Sequence, residues 1–268
     1  MAMRKYIAAL LMLLASLSLQ AQYKDFDSLV VAYNAQHGFN GVALLAVNGK
    51  VQHSKAIGVA NMDTRKPISL DSKFKIASMT KVFTAILVMK LVEDHNLDLN
   101  KTIGEYFPAY SGEGRDKVTL HHLLTYSSGI ENRTQSLSMK PFQTKRTLDE
   151  FIRDYCSGRL VEVPGVKSSY SNTEYIILHK IIEMVSGKSY SEFLNEVIIK
   201  PLKLKNTGVN SYEKVPKRMV KAYTFSDSLK TLTPDEPYYS ELYFWAGNMY
   251  ANCNDRLVFD QAILVINY

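Results

Sequence analysis

Apolar positions along this chain follow a few recognisable patterns, and the pattern changes type from one region to the next. Phe26, Leu29, Val30 and Tyr33 recur at helical spacing and stop at Gly38, which predicts a first amphipathic helix. Apolar runs from Val42 to Val47 and from Val51 to Val59 flank Asn48-Gly49. That dipeptide tolerates positive φ at both positions, so the two runs are expected to pair as a hairpin and supply the first two strands of a sheet. From Ser78 to about Lys200 the period becomes helical. The stretch Val82 to Met89 with Leu91-Val92 is apolar on nearly every side, which predicts a buried helix ending at His95-Asn96. A second long helical pattern follows Pro164-Gly165 and runs through Tyr175-Ile176-Ile177-Leu178, Ile181-Ile182 and Val185, with Asn172 placed as its cap. Thr147-Leu148-Asp149-Glu150 and Ser189-Tyr190-Ser191-Glu192 carry the spacing of a capping box. No repeat or low-complexity linker interrupts the chain, so residues 22–268 are expected to form one domain.

The amino terminus has a different character. Met1-Ala2-Met3-Arg4-Lys5 precedes the apolar run Tyr6 to Leu19, the basic start and short apolar stretch of a secretory signal. Cleavage is expected after Ala21, giving an exported protein, periplasmic or extracellular, whose membrane contact is confined to this segment. An uncleaved anchor is the alternative. The formal net charge is +6. Residues 1–21 hold Arg4 and Lys5 and no acid, so the mature chain carries +4 (6 − 2). Its basic residues are dispersed, and no nucleic-acid partner is expected. Cys156 and Cys253 either pair in an oxidising compartment or remain ordinary thiols. His121-His122 does not make a metal site, because adjacent side chains on a helix point apart and no other ligand motif accompanies them. No metal or cofactor is expected.

The candidate chemistry lies in two short motifs. Ser78-Met79-Thr80-Lys81 stands at the head of the buried helix pattern, and Tyr170-Ser171-Asn172 opens the second one. Residues three apart on a helix share a face, with Cβ atoms about 5–6 Å apart. A lysine surrounded by apolar neighbours has its pKa lowered and can serve as a base for the serine. The serine, near a helix amino terminus, has backbone N–H groups and the positive end of the dipole close to it. Two other Ser-x-x-Lys matches, Ser72-Lys73-Phe74-Lys75 and Ser211-Tyr212-Glu213-Lys214, lack a helical run behind them. Read without further context, Ser78 is equally an N-cap serine, Asn172 a helix cap and Tyr170 a packing residue.

Together these motifs resemble the serine β-lactamase-like family: class C β-lactamases, low-molecular-weight penicillin-binding proteins and related esterases. The resemblance spans roughly residues 25 to 262. It includes Leu120-His121-His122-Leu123-Leu124-Thr125-Tyr126-Ser127-Ser128-Gly129, Gly187-Lys188-Ser189-Tyr190, Ile199-Lys200-Pro201-Leu202, and Ala246-Gly247 leading to Asn254-Asp255. It implies an α+β, β-lactamase/transpeptidase-like fold, in which an antiparallel sheet accompanies a large helical region. It also implies an acyl-enzyme on Ser78, with Lys81 and Tyr170 sharing the proton and Asn172 holding Lys81 or the substrate amide. The substrate would be a small molecule or peptidoglycan-like amide, lactam or ester, and the protein a monomer.

The same resemblance calls for a third motif, Lys-Thr-Gly or His-x-Gly, on a strand beyond Ala246-Gly247. None occurs in the sequence. By resemblance that strand supplies one oxyanion donor, whose loss costs about 10²–10³ in rate. The terminal strands of the sheet are therefore expected to be missing, with an exposed edge and apolar face left behind. The alternative to a hydrolase is an inactive relative or fragment that binds a cell-wall component. The aromatic run Tyr238 to Trp245, just before Ala246-Gly247, is read as a packed strand or loop, or else as a wall of the acyl-binding cleft.

Overall fold

A computed structural model describes residues 25–133, 144–211, 215–229, 231–235 and 246–264. The signal segment, most of Ser211 to Lys214 and the aromatic run Tyr238 to Trp245 lie outside the described residues. The chain divides into two compact units, the first ending at Ser72 and the second beginning at Lys73.

In the first unit, α1 (Phe26–His37) begins with a reciprocal cap between Asp25 and Ser28. It ends at Gly38, whose φ of 66° lets its N–H return to the Asn34 carbonyl at 2.8 Å. Strands β1 (Gly41–Val47) and β2 (Lys50–Ile57) form the expected antiparallel hairpin. Asn48 and Gly49 both take positive φ, 48° and 76°, as a tight primed turn requires. The expected second run breaks at Gly58. There φ is +94°, and a Cβ would fall 1.7 Å from Asn40 Oδ1. Val59 therefore begins a separate strand, β3 (Val59–Asn61), which pairs with β4 (Lys66–Pro67).

The second unit opens with β5 (Phe74–Lys75), a 3₁₀ turn over Ala77–Met79, and α2 (Thr80–Glu93). Three short helices follow: α3 (Ile103–Tyr106), α4 (Leu120–Leu124) and α5 (Leu148–Phe151). The long α6 (Asn172–Ser186) comes next, then α7 (Tyr190–Leu194). Both anticipated capping boxes are present, Thr147 with Glu150 and Ser189 with Glu192. Strands β6 (Gly208–Val209), β7 (Tyr223–Ser226), β8 (Thr231–Pro234) and β9 (Met249–Ala251) precede the last helix, α8 (Cys253–Leu264). β9 lies between β5 and β6 in an antiparallel sheet, and β7 pairs with β8. The class is α+β.

Packing of α2 against α6 builds the core. Phe83, Leu87, Val88 and Leu91 from one helix, and Ile176, Ile177, Leu178, Ile181 and Ile182 from the other, are all buried. Each such side chain contributes about 1.5–3 kcal/mol relative to exposure. Phe83 also stacks on Phe259 of α8, with ring centroids 3.8 Å apart. The expectation that α2 is buried on every side needs correction, since Val82 is 40% and Met89 47% exposed. Seven residues apart, they share one face, and only the opposite face joins the core. Cys156 is buried and Cys253 half-buried, and no disulfide joins them.

Candidate active site

β9 holds the turn that carries Ser78. The Ile76 N–H donates to the Met249 carbonyl at 2.9 Å, and the Met249 N–H donates to Thr80 Oγ1 at 3.2 Å. Between these anchors the chain must tighten. Ala77 does so with φ at 44°, a left-handed conformation that costs an alanine about 1–2 kcal/mol. Ser78 thus sits in a 3₁₀ turn just before α2, not in the α-helix proper.

Lys81 lies three residues on, and its ammonium donates to Ser78 Oγ at 3.2 Å. It also donates to Asn172 Oδ1 at 2.7 Å and to the Ala246 carbonyl at 2.7 Å. An ammonium has three protons, and here each meets an acceptor. The side chain is only 4% exposed. Burial pulls its pKa below the usual 10.5, while the Tyr170 phenol opposes the shift. The rings of Tyr170 and Tyr175 face the ammonium at 4.8 and 5.8 Å.

Tyr170 arrives on the extended segment before α6. Its hydroxyl donates to Ser78 Oγ at 2.5 Å, and the residue is 50% exposed, so the serine is reached at an open surface. Tyr126, itself at φ 57°, packs its ring 5.1 Å from that of Tyr170. Asn172 is not the cap that the sequence suggested. Ser171 occupies the cap position and Asn172 is the first helical residue, which frees its amide oxygen to hold Lys81.

All four expected residues, Ser78, Lys81, Tyr170 and Asn172, meet in one place. Of the two other Ser-x-x-Lys serines, Ser72 does something different: it is buried and its Oγ accepts the Ser69 N–H at 2.9 Å. His122 Nδ1 accepts the Thr119 N–H in a local cap. Among the described residues, no cluster of three or more His, Cys, Asp or Glu is placed to hold a metal. Three contributors were not anticipated. The Ala246 carbonyl and the strained Ala77 act through the backbone, which side-chain motifs do not report. Glu174, in the first turn of α6, reads in sequence as an ordinary complement to the helix dipole. It is in fact buried, and its pKa is pushed up to about 7 by that burial.

A family profile described as Beta-lactamase matches residues 26–265, and the chain belongs to that family. It is 29% identical over 246 residues to a putative penicillin-binding protein of Bacillus subtilis (strain 168), covering 91% of this chain and 60% of that protein. It is 28% identical over 235 residues to teichoic acid D-alanine hydrolase of Staphylococcus aureus, covering 87% of this chain and 55% of the other. Among solved structures, a D-amino acid amidase from Ochrobactrum anthropi SV3 superimposes with a TM-score of 0.74 at 27% identity. That match covers 86% of this chain and 66% of the amidase. The chain thus spans less than two thirds of the length of either curated relative.

Proposed function

We propose that this protein is a serine hydrolase that forms an acyl-enzyme on Ser78 with an amide, lactam or ester substrate. The observation that carries the reading is the convergence of Lys81 Nζ and Tyr170 Oη on Ser78 Oγ, at 3.2 and 2.5 Å. In its neutral form Lys81 takes the serine proton as Oγ bonds to the acyl carbon. The Ser78 N–H holds the developing oxyanion at the helix amino terminus. Tyr170 then gives its proton to the leaving group, and the Lys81 ammonium reprotonates the phenolate. Water attacks the acyl carbon by the reverse route, with the same two groups removing its proton. Asn172 fixes Lys81 throughout and keeps the amine within reach of the serine.

Among possible acyl groups, the named relatives favour a D-amino acid joined through an ester or amide, on a small molecule or a cell-wall polymer. The reading includes export as a monomer after cleavage at Ala21, with residues 22–268 as one hydrolase domain. The alternative reading is a relative that binds a cell-wall component without turning it over. Intact mass of the protein before and after a fluorophosphonate or a penicillin separates the two. A single adduct that maps to Ser78 is expected, and a folded protein that takes no adduct supports the second reading instead.

A further inference from the structure

The proposed chemistry needs the Tyr170 phenol to stay on Ser78, yet Tyr170 stands on an extended segment ahead of α6 and is 50% exposed. Such a segment makes no hydrogen bonds within itself, so its backbone groups must be met elsewhere. They are met by the loop that follows α4. The Ser169 N–H donates to the Tyr126 carbonyl at 2.8 Å, and the Gly165 N–H donates to the Ser127 carbonyl at 2.8 Å. Ser168 Oγ donates to the Thr125 carbonyl at 3.0 Å, and Asn132 Nδ2 to the Tyr170 carbonyl at 3.3 Å. Residues 125–132 therefore set where Tyr170 stands.

Tyr126 is the strained point of that loop. Its φ is 57°, a left-handed conformation that is rare for a bulky side chain and carries no steric penalty for glycine. The chain uses glycine at two nearby positions of this kind, Gly129 at φ 69° and Gly165 at φ 84°. A turn alone thus does not call for tyrosine at 126. What the tyrosine adds is a ring. That ring lies 5.1 Å from the Tyr170 ring and 5.3 Å from the Tyr175 ring. Both spacings fall within the range of about 4.5–7 Å at which aromatic pairs attract. Tyr170 and Tyr175 are also the rings that face the Lys81 ammonium, at 4.8 and 5.8 Å. One side chain braces both.

We infer that Tyr126 is a positioning residue for the acylation of Ser78. Its ring holds Tyr170 and Tyr175 against Lys81, which keeps the phenol on Ser78 Oγ and water away from the amine. The inference rests on the acyl-enzyme reading above. It accounts for the strain, because a glycine would relax the backbone and remove the brace. Burial is the main cause that lowers the Lys81 pKa, and the titratable groups facing the amine are the phenols of Tyr170 and Tyr175. Loosening these rings admits water and returns that pKa toward 10.5.

Three variants of the full-length protein separate the ring from the backbone. Tyr126→Phe keeps the ring, Tyr126→Leu removes it, and Tyr126→Gly removes both ring and strain. Each is acylated with a fluorophosphonate at a fixed, near-neutral pH and followed by intact mass. Tyr126→Phe should react within about twofold of the parent. Tyr126→Leu and Tyr126→Gly should lower the saturating rate by about tenfold to a hundredfold, with little change in the half-saturating concentration. The second readout is the Lys81 side-chain NMR signal, assigned by its loss in Lys81→Met. It should titrate at higher pH in Tyr126→Leu and Tyr126→Gly than in the parent, and at the parent value in Tyr126→Phe.

A side chain that only fills space would not move the Lys81 titration. An unmoved midpoint, an unchanged saturating rate in Tyr126→Gly, or a Tyr126→Phe as slow as Tyr126→Gly overturns the inference. Tyr126→Leu keeps an apolar side chain in place and decides the matter if Tyr126→Gly does not fold. The titration is read on unreacted protein, so the two readings fail separately. A parent that takes no adduct sinks the acyl-enzyme, whereas an unmoved Lys81 midpoint sinks the role of Tyr126.

Discussion

Asn172 and Glu174 begin the same helix two residues apart, yet their surroundings are opposite. On the Asn172 side a buried cation, Lys81, has an acceptor for each of its three protons. On the Glu174 side a buried acid takes its hydrogen bonds from the backbone and side chain of Ser128. Both groups are removed from water, and burial drives both pKa values toward the neutral form. Their geometry determines what that shift can be used for. Lys81 is held against a hydroxyl that needs a base. Glu174 is held against Ser128, which needs none. A desolvated group becomes a reagent when a reacting atom is beside it, and a structural contact when none is.

The most damaging test of this contrast removes the reagent side. Ser78→Ala should abolish acylation, because alanine has no oxygen to carry the acyl group, while Ser72→Ala leaves labelling unchanged. Labelling that survives Ser78→Ala would end the assignment. Lys81→Met should cost about 10²–10⁴ in the rate of adduct formation without abolishing binding. The parent should show a rate that climbs with pH, because Lys81 must lose a proton to act. Its midpoint should lie below 10.5, since burial lowers the pKa of this group. A stopped-flow acylation profile gives that midpoint directly, and one at or above 10.5 contradicts the role.

The Lys81 side was legible in the sequence and the Glu174 side was not, for a physical reason. Ser78, Lys81, Tyr170 and Asn172 are side chains that do chemistry, and their spacing is tied to helix starts that periodicity reveals. Asn48-Gly49 and the capping boxes at Thr147 and Ser189 are similarly local. Glu174 instead acquires its properties from Ser128, 46 positions away, and from a pocket wall assembled from several segments. No local pattern marks a first-turn glutamate as buried. Gly58 eluded the pattern as well, because the need for glycine there comes from Asn40 across the strand break. The two-sided character of α2 was missed because an apolar composition does not say which face finds a partner.

A smaller effect tests the Glu174 side through stability. In the unfolded chain Glu174 titrates near 4.5, and in the fold at about 7. The folded state therefore keeps its proton between these values. The stability this group contributes is fully present below pH 4.5 and is lost as pH rises through about 7. The gap corresponds to about 3 kcal/mol. Glu174→Gln keeps the acceptor for the Ser128 N–H and removes the ionisation. Denaturant melts should show its advantage over the parent growing by about that amount from pH 4.5 to about pH 8.5. An advantage independent of pH would mean that the carboxyl is not desolvated, and the contrast with Lys81 would fail.

The smallest expected effect concerns Ala77, whose backbone aims Ser78 at Lys81 and Tyr170. At φ 44° an alanine is strained and a glycine is not. Ala77→Gly should therefore raise unfolding free energy by about 1 kcal/mol, less whatever the extra freedom of glycine in the unfolded chain takes back. If the strain serves only to close the turn, acylation should be unchanged. If it also holds Oγ at 3.2 Å from the amine, the added freedom should slow acylation while stability rises. That opposite movement of rate and stability is what a turn strained for positioning predicts. A variant that loses both would show that Ala77 is held by packing its methyl group instead.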